Sequence, residues 1–203
     1  MEREPFDHQN AWDHVSEMYR YIVALFGAPF ALAERFILMK KDRRDLLAWL
    51  GPVEALARRL LLLKALALPA PNYLAPKPFA GRLLIAFTDR PLQAIHPESE
   101  SWRVCFSVMP YGVLRRKRGA ERVAHTDRRS ADEFNAVPLA RRVEALRRVL
   151  ENPAPAIARL ARLLAARRDA VVYAFGPYRP RATCAQTALA DAQRALDLAL
   201  NTS

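Results

Sequence analysis

The sequence predicts a mainly helical α+β fold: an N-terminal helical bundle, a short antiparallel strand pair, then a C-terminal helical hairpin and one final helix. Three observations carry this expectation. Apolar residues recur every three or four positions along most of the chain, the period of an amphipathic helix. One stretch alternates with period two, as strands do. Prolines gather between these segments and interrupt them. Apolar residues are 52% and charged residues 26% of the 203, a balance that supports a buried core rather than a disordered chain.

A first helix is expected over residues 10–26, where Trp12, Val15, Tyr19, Ile22, Val23 and Phe26 form one stripe. Asp7 or Asn10 supplies the cap, and Gly27 with Pro29 ends it. A second helical stretch opens at Pro29, a residue suited to the first turn, and carries Phe30, Ala33, Phe36, Ile37 and Lys40. Residues 43–50 form a further segment, interrupted at Gly51 and Pro52. The pattern resumes over residues 53–68, where four consecutive leucines, Leu60 to Leu63, make the helix apolar around much of its girth.

Pro69, Pro71, Pro76 and Pro78, with Gly81, make residues 69–81 the expected linker between a helical bundle at 1–68 and a second region at 82–203. The two regions can still pack as one domain. Trp102, Val104, Phe106 and Val108 alternate with Arg103, Cys105 and Ser107, so residues 101–109 read as a strand that pairs with residues 82–88. Ser130 and Glu133 have the spacing of a capping box. Helices are expected over residues 138–151 and 153–168, with Asn152 capping the second. The pair forms a hairpin with its apolar faces together and its arginines outward. A last helix, over residues 183–200, buries Leu189, Ala192, Leu196, Ala199 and Leu200.

Charge is the most informative part of the composition. The formal net charge is +11, yet residues 115–181 alone hold 17 Lys and Arg against 7 Asp and Glu, an excess of ten. A localised positive field attracts polyanions. The candidate contacts are Arg115, Arg116, Lys117 and Arg118 in an expected loop, and Arg141, Arg142, Arg147, Arg148, Arg159, Arg162, Arg167 and Arg168 on the hairpin. Arg179 and Arg181 follow, next to Tyr173, Phe175 and Tyr178. Few Asn or Gln residues accompany them, so binding without base-sequence preference is the form expected. Arginine in excess of lysine, with abundant alanine, is also what a GC-rich bacterial genome writes at exposed positions. The competing reading is therefore a solvated face with helical pairs such as Glu144 with Arg147 or Arg148.

Catalytic and metal-ligating patterns are missing. His8 and His14 stand six residues apart, about 600° around a helix, and no HExxH, GxSxG, GxGxxG or GxxxxGK[ST] occurs. No cofactor and no metal are predicted. Cys105 and Cys184 lie far apart, which fits a reducing compartment and two small buried side chains. The acidic, polar start does not resemble a secretory leader, and the uncharged stretch over residues 21–33 is shorter than the ~20 residues that span a bilayer. The expectation is a cytoplasmic, bacterial-type binding protein whose partner is nucleic acid or an acidic protein. An adaptor or regulatory module with a solvated basic face is the alternative. An enzyme with a concealed site, using His14 and Glu17, is the third.

Overall fold

Asp7 opens the first helix by accepting hydrogen bonds at Oδ1 from the amides of Gln9 (2.9 Å) and Asn10 (3.0 Å). In the computed structural model, which describes residues 6–68, 104–110, 133–175 and 186–201, α1 (His8–Phe26) buries Ala11, Trp12, Val15, Met18 and Ile22 along one stripe. Gly27 ends it with φ +97° and ψ 163°, a region essentially reserved for glycine. A Cβ there would meet Ala31 Cβ at an ordinary 3.6 Å, so backbone conformation rather than space requires the glycine.

Helix α2 (Pro29–Glu34) is shorter than expected. Phe36 adopts φ +53° and turns the chain into β1 (Ile37–Met39), which pairs antiparallel with β2 (Glu133–Asn135) in the register Leu38↔Phe134. The Phe36 carbonyl extends the ladder by accepting from the Ala136 amide at 2.9 Å. Local periodicity favoured helix here, but a strand partner almost a hundred residues away decided the outcome. The predicted strand pair therefore exists, but from other residues.

Within residues 104–110 no strand forms. The Ser107 carbonyl instead accepts from Arg58 Nε at 2.8 Å. The alternation of burial is retained: Phe106 and Val108 are buried and Cys105 is exposed, which corrects its reading as a buried side chain. The expected linker at 69–81, the strand at 82–88, Ser130 and Cys184 lie outside the described residues.

Helix α3 (Lys40–Leu66) runs unbroken through Pro52, against the expected interruption at Gly51 and Pro52. A proline inside a helix costs about 3 kcal/mol. Burial of a large apolar side chain contributes about 1.5–3 kcal/mol, and Leu46, Leu50, Val53, Leu56 and Leu60 to Leu63 are all buried on this helix. Packing outweighs propensity. α1 packs against α3, and every residue from 52 to 63 is buried, so this stretch has no solvent face.

The Asn135 side chain accepts from the Val137 amide at the start of α4 (Val137–Glu151), and Glu133, expected in a helical turn, is in β2. Asn152 closes α4 by donating its amide to the Arg148 carbonyl rather than capping the next helix. α5 (Ala154–Ala174) follows, longer than expected and broken at Arg167 (φ −154°, ψ 57°). The two helices are consecutive but do not close on each other: α4 lies against α2 and α5 against α3. Their apolar faces had better partners in the N-terminal region. α6 (Gln186–Asn201) buries Leu189, Ala192 and Leu196 on α3, as the stripe predicts. Helix makes up 80% of the described residues, so the core is helix on helix around α3, with the two-stranded ladder at its margin.

Candidate functional site

Because residues 52–63 have no solvent face, the charged groups among them must be satisfied internally. Glu54 is 2% exposed and receives two guanidinium groups. Arg58 Nη2 donates to Oε2 at 2.9 Å, while Arg142 reaches across from α4 with Nε to Oε1 at 3.0 Å and Nη2 to Oε2 at 2.7 Å. Arg58 also lies 5.2 Å from the centre of the Phe106 ring. Arg59 Nε donates to Gln193 Oε1 of α6 at 2.7 Å. These contacts bind α4, α6 and residues 106–107 to α3.

A second carboxylate organises the outer part of α4. Glu144 is buried and accepts from Arg147 Nε and Nη2, each at 2.8 Å, and from Arg148 Nε at 2.7 Å; Arg147 also contacts Glu151. The hydrogen bonds from Arg147 are the main reason the Glu144 carboxyl is held below the usual carboxylate range, against the upward pull of burial. Glu144 in turn raises the pKa of Arg147. Tyr19 of α1 borders this group, and burial is the main cause of its phenol being pushed up to about 12.

The structure thus divides the arginines singled out from sequence. Arg142, Arg147 and Arg148 are engaged by carboxylates. Arg141 is exposed on α4. Arg159 Nη1 lies 2.7 Å from Cys105 Sγ, and Arg162 Nε donates to the carbonyl of Ala158 in its own helix at 3.3 Å. Arg162, Arg167 and Arg168 are exposed, and no carboxylate pairs with any of the three among the described residues. Arg115, Arg116, Lys117, Arg118, Arg179 and Arg181 lie outside the described residues.

What sequence reasoning missed is the shape of α5. Residues 165–170 are all exposed, although a straight helix lying on a core would bury one residue in every three or four. The break at Arg167 falls within this exposed stretch and forms an elbow, and Val171 and Phe175 return to the core beyond it. Ala165 and Ala166 in place of apolar residues of larger size were the local signal. Arg167 and Arg168 occupy the elbow, with Arg159 and Arg162 on the limb before it.

His14 and Glu17 fare differently. They line a shallow depression with Asn10, Asp13, Ser16 and Arg20, all six on α1, so among the described residues no second element walls it. His8 stacks edge-on against Phe6 at 4.9 Å, and burial, followed by the charge of Lys64, lowers its pKa against the opposing effect of Asp7. Among the described residues no group of three or more His, Cys, Asp or Glu is placed to hold a metal ion, and no helix is long and apolar enough to cross a membrane. No protein-family model, curated protein or solved structure matches the chain.

Proposed function

We propose that the protein binds polyanions, with nucleic acid as the leading class, through the exposed arginines of α5 and without base-sequence preference. The observation that supports this reading is the contrast within the basic region: Arg142, Arg147 and Arg148 of α4 pair with Glu54, Glu144 and Glu151, whereas Arg162, Arg167 and Arg168 are exposed on a bent helix and pair with no carboxylate among the described residues. Exposed guanidinium groups with no carboxylate partner among the described residues are positioned to displace the counterions of a phosphate chain. The arginine-rich composition and the two widely spaced cysteines favour the cytoplasm of a bacterium as the setting.

The reading has a numerical signature. Three arginines neutralising three duplex phosphates give a slope of about −2.7 in log affinity against log salt, or roughly one and a half decades lost between about 50 and 200 mM. Recruitment of Arg115, Arg116, Lys117, Arg118, Arg179 and Arg181 would steepen it. Fluorescence anisotropy with duplex and single-stranded DNA and RNA is expected to give dissociation constants of roughly 1–100 μM at physiological salt and submicromolar ones at about 50 mM, weakened by joint Arg162→Ala, Arg167→Ala and Arg168→Ala. Absence of binding at that salt, or binding indifferent to both salt and the triple variant, overturns the reading.

A second reading, a protein adaptor, draws on a separate surface. Phe36, Ile37 and Met39 are 63%, 46% and 56% exposed at the start of the small sheet, and Phe36 is held there in a left-handed conformation. Apolar side chains displayed in this way suit a protein partner. A partner whose capture survives high salt and is lost on Phe36→Ser would favour the adaptor.

A further inference from the structure

Where the second limb of α5 meets the end of α6 there is a notch lined by Arg168, Asp169, Val172, Tyr173 and Leu200. Its unusual member is Tyr173, 78% exposed while its neighbours Val171 and Phe175 are buried. At 100° per residue, Tyr173 lies about 200° from each of them, so the ring faces away from the core because of helical register. It is also the most open of the large apolar side chains among the described residues. An aromatic side chain this exposed, beside an exposed guanidinium, has the two components of a single-strand site: a platform on which a base can stack and a charge for the adjoining phosphate.

We propose that the notch takes an unpaired nucleobase, stacked on Tyr173 with its phosphate drawn to Arg168 and Arg167, so that the polyanion held by the α5 elbow is single-stranded nucleic acid. This rests on the reading of α5 as a polyanion site. Duplex bases present no free face, so the Tyr173 ring has nothing to stack on in a paired ligand. Asp169 sets the orientation. Its carboxylate repels phosphate, which places the backbone on the arginine side of the notch and the base over the ring. Val172 and Leu200 provide an apolar wall that favours the flat base over water.

The experiment compares three ligands on the full chain: a single-stranded DNA oligonucleotide, a duplex of the same length, and heparin, a polyanion without bases. Loss of one stacked base corresponds to a factor of about 5–150 in affinity. Tyr173→Ala is expected to weaken single-strand binding by that factor and to leave duplex and heparin within about twofold. Tyr173→Phe keeps the stacking face and retains binding. Arg168→Ala weakens all three ligands. Since Tyr173 is 78% exposed, its variants are expected to melt with the wild type, and a melting curve run beside each titration verifies this. If all three ligands bind and Tyr173→Ala affects none, or affects all alike, the stacking site is overturned while the basic elbow stands. If none of the three binds, the elbow itself is overturned.

Discussion

Helices α4 and α5 each carry four arginines, yet their side chains end in different surroundings. On α4, Arg147 and Arg148 have Glu144 and Glu151 three or four residues away, and Arg142 meets Glu54 across the interface with α3. On α5, the positions three and four residues from Arg159, Arg162, Arg167 and Arg168 hold no Asp or Glu, and the helix's single acidic residue, Asp169, is flanked at those spacings by Ala165, Ala166, Val172 and Tyr173. Equal numbers of arginines thus give three that are held by carboxylates on α4, and on α5 three that are exposed with no carboxylate paired to them among the described residues. What decides is the placement of carboxylates, both along the helix and on the surface it covers. A basic excess counted along a sequence therefore overstates the charge that a ligand can reach.

The largest effect that would break this contrast is expected at Glu54. Glu54→Gln keeps the shape but leaves Arg58 and Arg142 without their carboxylate, and unfolding in urea should show a loss of about 3–5 kcal/mol. A loss below ~1 kcal/mol would show that α4 is not cross-linked in the way described. Next comes Glu144. Its carboxyl titrates below the usual range in the folded protein, so the stability it supplies is complete above the ordinary carboxylate pKa and declines as pH falls through the lower, folded value. Glu144→Gln should destabilise by about 1–3 kcal/mol at neutral pH and flatten the acid limb of the stability profile. A variant with an unchanged acid limb would contradict that linkage. The smallest effect belongs to α5: Arg162→Ala and Arg168→Ala should each leave the unfolding free energy within about 0.5 kcal/mol. A loss comparable to that at Glu144 would place these arginines in the structural class with α4.

Much of the helical framework was legible in the sequence because each helix advertised its own buried face. Trp12, Val15 and Ile22, and later Leu189, Ala192 and Leu196, lie on the predicted stripes. What the sequence did not reveal depended on distant chain. Ile37, Leu38 and Met39 became a strand only because residues 133–135 lie alongside, and Pro52 was tolerated only because neighbours on every side bury the turns around it. The candidate site followed the same rule. Glu144 with Arg147 or Arg148 was readable from spacing, whereas Arg142 with Glu54, separated by 88 positions, was not. The open arginines of α5 could have been found by asking which of them lack an acidic residue at helical spacing.

The burial of α3 has a consequence for how the chain reaches this state. Arg59 closes on Gln193, 134 residues later, and the leucines of α3 are covered in part by α5 and α6. At ribosomal rates of about 5–20 residues per second, the last of those covering helices, α6, emerges roughly 7–27 s after α3. During that interval a helix with a run of four leucines has lost its water shell on the α1 side only, and its remaining apolar surface is open to other nascent chains. Truncation before α6 is therefore expected to send the chain to aggregates rather than to a smaller folded core, as the soluble fraction on expression would show.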